Sequence, residues 1–258
     1  MEENPHIQKK RFRLSVFVSL MLVVLMWALH LLNISMDMDL VRFGVYPREV
    51  SGLWGILLSP LLHGDWQHLI ANSMSFVVLA TGLFYFYPKI GYRIFAISWI
   101  TVGIVVWIMA RPSYHIGASC VIYAMAGFLF LSGIIRKDYR LMAVSLIIVF
   151  MYGYMIWGIF PGKPGVSWEG HFAGLFIGFL LACFYRKQGP KKPIYSWETE
   201  EDTEEEEEKK LPDRELPYGY HANQTYWFED VEIHYPGYDE DSDENPKHKI
   251  QSSKTCPE

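Results

Sequence analysis

Three short polar clusters interrupt an otherwise apolar stretch of the chain, and each carries residues suited to nucleophilic chemistry. They read His63-Gly-Asp-Trp-Gln-His68-Leu-Ile-Ala-Asn72, His115-Ile-Gly117-Ala-Ser119-Cys120-Val-Ile-Tyr123 and Trp168-Glu-Gly170-His171-Phe-Ala-Gly174-Leu-Phe-Ile-Gly178. A serine at the start of a helix sits among free backbone N–H groups, where the helix dipole favours negative charge. To act as a nucleophile it needs a base within hydrogen-bond reach, and His171 is the one imidazole on the last apolar run. His68 and Asn72 are one helical turn apart, so both project from one face. Their N–H groups suit the oxyanion of a tetrahedral intermediate. Tyr123 lies one turn after Ser119, placed to pack its ring on the imidazole. With no Asp or Glu expected inside the apolar runs, the arrangement is a dyad. His63 is expected to fix its loop, and His30 and His115, which have no matched role, to lie at the interface.

The elements that must position these groups are membrane helices. A span needs about twenty mostly apolar residues, and the first apolar run has no cleavage site after it, which favours a retained helix over a signal peptide. Six segments are expected to cross: Leu14–Ile34, Trp66–Tyr87, Ile90–Ala110, Gly117–Ile135, Leu141–Phe160 and the shorter Gly170–Tyr185. The segment Ser35–Pro60 is too irregular to cross and is expected to lie in the interface or pack on the bundle.

Basic residues set the orientation, since Lys and Arg in short loops stay cytoplasmic. One alternating set of flanks holds Lys9, Lys10, Arg11 and Arg13; Lys89 and Arg93; Arg136, Lys137 and Arg140; and Arg186, Lys187, Lys191 and Lys192. The other set holds only Arg42, Arg48, Arg111 and Lys163. Both termini are therefore expected in the cytoplasm. The second, fourth and sixth spans then run in the same direction, and their polar first turns share one depth near the outer surface.

Small residues provide the close approach that a hydroxyl-to-imidazole bond requires. Gly170, Gly174 and Gly178 make a small-xxx-small series on the sixth span, facing Ala118, Ala124, Ala126 and Gly127 on the fourth. Three expected regions follow: a cytoplasmic segment 1–13, a six-helix membrane domain 14–187, and a disordered acidic cytoplasmic tail 188–258 containing Glu204–Glu208. The three cysteines, Cys120, Cys183 and Cys256, lie far apart and suggest no disulfide framework. No His-x3-His pair or carboxylate set offers metal ligands on a helix face. No metal, cofactor or nucleic acid is called for, and nothing specifies an oligomeric state.

With these motifs in order, the sequence resembles the rhomboid family of intramembrane serine proteases. The resemblance runs from about Trp54 to Tyr185 and rests on His63/His68/Asn72, Gly117/Ser119/Tyr123 and His171/Gly174/Gly178. It implies an all-α membrane protein, a six-transmembrane-helix rhomboid-like bundle with a water-filled cavity open to the outside. It implies Ser119 as nucleophile and His171 as base and then acid. His68, Asn72 and the Ser119 N–H become the oxyanion donors, with Gly117, Tyr123, Gly174, Gly178 and His63 in support. Implied partners are the lipid bilayer and other membrane proteins, cut within or near a transmembrane segment. The compact six-span form looks like a bacterial plasma-membrane enzyme. The alternative is a catalytically silent relative that binds membrane helices for quality control or trafficking. Two residues depart from the family pattern: Cys120 stands where a Gly usually follows the serine, and Gly55 where many members have Arg after Trp54.

Overall fold

The computed structural model describes residues 4–138, 140–143, 146–147, 157–162 and 165–189. Its described elements are helical, with one isolated antiparallel bridge between Val45 and His115. Four described helices are long and apolar enough to cross a membrane: α1 (Pro5–Ser35), α3 (Trp66–Phe86), α4 (Gly91–Met109) and α5 (Ser119–Arg136). Two shorter helices complete the labels, α2 (Gly55–Leu58) and the apolar α6 (Trp168–Phe184). The expected spans one to four and six are all found as helices. Of the expected fifth span, 141–143 and 146–147 are helical, Trp157–Ile159 forms a 3-10 turn followed by a bend at Phe160, and 144–145 and 148–156 lie outside the described residues. So do the flanking Lys163 and the expected acidic tail from residue 190 onward.

The first helix begins earlier than its apolar run. Asn4 caps it by accepting from the His6 N–H at 2.9 Å, and the basic cluster at 9–13 is already helical. The expected boundary at residue 13 therefore marks a change of charge inside one continuous helix. Its buried stripe, Ser15, Ser19, Val23, Met26 and His30, recurs every third or fourth residue and faces α3. Polar links cross this interface: Thr81 Oγ1 donates to Ser19 Oγ at 3.2 Å and Trp27 Nε1 to Ser73 Oγ at 3.0 Å. In hydrocarbon such bonds matter because no water replaces them.

The segment after α1 packs against the bundle through short helical turns. Trp107 Nε1 donates to the Glu49 carbonyl at 2.8 Å, and Trp99 Nε1 to the Leu57 carbonyl at 3.1 Å. Both tryptophans belong to α4, so that helix holds the segment at two levels.

The central contact is between α5 and α6. A Cβ on Gly174 would collide with the Cys120 carbonyl, and one on Gly178 with the Ala124 carbonyl. Only glycine lets these backbones come so near. Of the partners expected for the glycine series, Ala124 meets Gly178 and Gly127 lies against Leu175, whereas Gly170 and Gly174 meet Cys120, which was not among them.

Candidate active site

Ser119 is the first residue of α5, so its N–H has no acceptor within the helix. The loop before it reaches this position through Gly117, whose φ of +103° lies where side-chain-bearing residues are strained. A Cβ on Gly117 would also sit 2.6 Å from His68 Nε2 and 3.3 Å from Asn72 Nδ2. Gly117 is therefore the point at which the α3 donors meet the serine loop. The loop is fixed from behind: the Gly117 N–H donates to the Ser59 carbonyl at 2.8 Å, and His115 and Val45 exchange two main-chain bonds of 2.8 and 3.0 Å.

His171 lies in the first turn of α6, 8% exposed, with its Nε2 2.8 Å from Ser119 Oγ. Its Nδ1 is 3.0 Å from the Gly158 carbonyl, in the 3-10 turn Trp157–Ile159. A carbonyl only accepts, so Nδ1 carries the proton and donates it there. The Nε2 lone pair is then left to accept from the serine hydroxyl, the tautomer that a general base requires. Tyr123 stacks on the imidazole with ring centroids 4.4 Å apart and planes 16° from parallel. The tyrosine is expected from its spacing to Ser119, whereas the carbonyl has no side-chain signature.

On α3, Asp65 caps the helix by accepting from the His68 N–H at 2.8 Å. That cap fixes the first turn and so the direction of His68 and Asn72. Asn72 is buried, its Nδ2 donating to His63 Nε2 at 3.0 Å. His63 is buried in turn, and its carbonyl accepts from His30 Nδ1 at 3.1 Å. The rings of His63 and His68 meet edge to face at 5.1 Å. Burial pushes the His63 pKa down to about 3, with the neighbouring His68 acting the same way, so the ring is neutral at ordinary pH. His63 thus orients Asn72, which sharpens its expected loop-fixing part.

His30 and His115, expected at the interface, are packed inside the protein at 3% and 5% exposed, the first under the 63 loop and the second under the 167 loop. One expectation needs correction: the head of the last span is not free of acid. The helix starts at Trp168, before the expected Gly170, and so includes Glu169, whose side chain is 15% exposed beside Arg111.

A serine hydroxyl bonded to a correctly tautomeric imidazole, with amide and imidazole N–H groups beside the serine loop, is arranged for acyl transfer. Among the described residues no group of three or more His, Cys, Asp or Glu side chains could hold a metal ion. A family model, the Rhomboid domain, matches residues 50–188, more than half of the chain. The chain belongs to the rhomboid family.

Similar rhomboids and relatives come from several sources. An uncharacterised Mycobacterium tuberculosis protein is 33% identical over 174 residues, covering 62% of this chain and 70% of the relative. A Bacillus subtilis protein, YdcA, named provisionally as a rhomboid protease, is 28% identical over 143 residues, 54% of this chain and 71% of its own length. A mimivirus protein, L523, named provisionally as a rhomboid protein, is 25% identical over 144 residues, with 52% and 77% covered.

In this rhomboid the two departures from the family pattern have local reasons. The Cys120 thiol fills space beside Gly170, where a Cβ would lie 2.5 Å from the sulfur. Gly55 permits the 3-10 and α2 turns to press on the chain at Gly44 and Val45, where a Cβ would strike backbone. Cys120 thus faces a glycine across its contact, and Gly55 faces main chain.

Proposed function

We propose that this rhomboid is an intramembrane serine endopeptidase. The observation that carries the reading is the chain of bonds from Ser119 Oγ to His171 Nε2 and from His171 Nδ1 to the Gly158 carbonyl, 2.8 and 3.0 Å long. His171 takes the hydroxyl proton as Ser119 Oγ attacks a peptide carbonyl, forming the C–O bond of a tetrahedral intermediate. The negative oxygen is held by the Ser119 N–H, His68 and Asn72. The intermediate collapses as the C–N bond breaks, and His171 returns the proton to the leaving amine. Water, deprotonated by the same imidazole, then releases the acyl group.

Substrates are transmembrane segments of other membrane proteins, opened locally by small or helix-breaking residues. The site belongs to a six-span bundle in a bacterial plasma membrane, with both termini cytoplasmic and the site near the outer face. The bias of basic flanks supports this orientation, and the bacterial relatives support the setting. A silent helix-binding relative would not need the serine hydroxyl and the Nε2 lone pair held in contact, which favours the enzyme.

The test is cleavage of a tagged transmembrane substrate by purified protein in proteoliposomes. Wild type is expected to cut it, with Ser119→Ala and His171→Ala inactive. Equal cleavage by all three would sink the dyad, and no cleavage of a panel of such substrates would favour the silent relative.

A further inference from the structure

Four residues before each member of the dyad, in the loop leading to its helix, stands another member of a Ser–His pair. His115 precedes Ser119 by four residues, and Ser167 precedes His171 by four. His115 Nε2 lies 3.0 Å from the Arg111 carbonyl, so it donates there and leaves Nδ1 to accept. Nδ1 is 2.6 Å from Ser167 Oγ, which donates to it. The pattern of hydroxyl, imidazole and carbonyl is that of the dyad, with serine and histidine exchanged between the two chain segments.

Ser167 holds the N-cap position of α6, yet its side chain makes no capping bond. That hydroxyl is spent instead on His115, across the gap between the two loops. Two further contacts run the same way. Arg111 Nη2 donates to the Val166 carbonyl at 2.5 Å, and Arg111 Nε lies 3.8 Å from Glu169 Oε1. Each joins the 111–115 loop that leads into Ser119 to the 166–169 segment that leads into His171. The His171 N–H in turn donates to the Ser167 carbonyl at 3.1 Å, so the orientation of Ser167 passes directly to the base.

We infer that His115 and Ser167 form a clasp that positions Ser119 and His171 for reaction, with the Arg111–Glu169 pair as its outer bolt. They are positioning residues, since neither touches the reacting atoms. The inference rests on the proposed proteolytic reading for its catalytic consequence. Its geometric part, that the clasp sets the Ser119–His171 bond, does not depend on turnover. A site whose two halves come from different helices needs such a tie, because misplacement by about 1 Å costs on the order of 100-fold in rate.

The experiment uses the full-length protein in detergent, as wild type, Ser167→Ala, His115→Phe and Ser167→Thr, with Ser119→Ala and His171→Ala as references. Two readouts are taken: the rate of adduct formation with a small fluorophosphonate, and the low-field imidazole N–H resonance of His171, assigned by its loss in His171→Ala. Variants are compared only after monodisperse elution; Ser167→Ala and His115→Phe break the pair from opposite sides, so misfolding of one leaves the other. Both are expected to label about 100-fold more slowly at unchanged probe affinity and to shift or broaden the resonance. Ser167→Thr, which keeps the hydroxyl, is expected to restore both to near wild type. Unchanged labelling in Ser167→Ala and His115→Phe would overturn the positioning role, whether or not the resonance moved. If wild type itself failed to label, the proteolytic reading would fall. The resonance alone would then decide the clasp, an unmoved signal overturning it and a moved, threonine-rescued one supporting it.

Discussion

His171 donates its Nδ1–H to the main-chain carbonyl of Gly158 at 3.0 Å, in the position where a triad would place a carboxylate. The acceptor is a dipole rather than a charge, so it fixes the tautomer while stabilising an imidazolium less than Asp would. It also makes Gly158 sensitive to substitution. A Cβ there would collide with the Tyr123 hydroxyl and lie 3.0 Å from His171 Nδ1. Gly158→Val is expected to slow fluorophosphonate labelling by about 10- to 100-fold through displacement of the imidazole, with the fold retained by circular dichroism. Wild-type labelling in that variant would show that the carbonyl is not what orients the base.

Gly117 is the second backbone position with a definite expectation. Its φ of +103° and its contact with the His68 ring leave no room for a methyl group. Gly117→Ala is expected to cost about 1–3 kcal/mol in strain and to lower the melting temperature in detergent, with labelling of Ser119 also lost. A melting temperature equal to wild type would contradict the assigned conformation.

The α3 donors should separate binding from chemistry. His68→Ala and Asn72→Ala are each expected to lower kcat about 100- to 1000-fold with little change in KM, because their proposed role is to hold charge that develops in the transition state. Steady-state cleavage of a transmembrane substrate checks this. A rise in KM with kcat preserved would mark them as substrate-binding groups instead.

Acid should weaken the fold through His63. Burial holds the folded pKa down at about 3, against 6.5 for the free side chain. Between these values the unfolded chain binds the proton that the folded chain refuses, so stability rises with pH across the window. The contribution is fully present above pH 6.5 and is lost as pH falls towards about 3. Melting temperatures measured from pH 7 down to about 4 are expected to fall more steeply in wild type than in His63→Gln. Parallel curves would rule out His63 as the titrating group.

Much of this site could be read before any coordinates. Ser119, His171, His68 and Asn72 each stand near the start of an apolar run, and the alternation of basic flanks is the basis for expecting those starts at one level. The stacking of Tyr123 followed from its single-turn spacing. What could not be read was anything carried by main chain or decided by what packs on top. Every residue has a carbonyl, so Gly158 gave no signal, and it lies in a stretch whose composition reads as the end of a plain apolar helix. The burial of His30 and His115 has no sequence signal, because it depends on which loop covers each imidazole. Glu169 lies outside the expected last span because the apolar run begins at Gly170, whereas α6 begins at Trp168.

The most direct test of the central claim is mass-spectrometric mapping of a fluorophosphonate adduct on the purified full-length protein. The expected result is a single adduct at Ser119, formed in wild type and absent after His171→Ala, since the proposed dyad activates the hydroxyl through the bond at 2.8 Å. An adduct on another residue, or undiminished labelling of Ser119 in His171→Ala, would contradict the dyad.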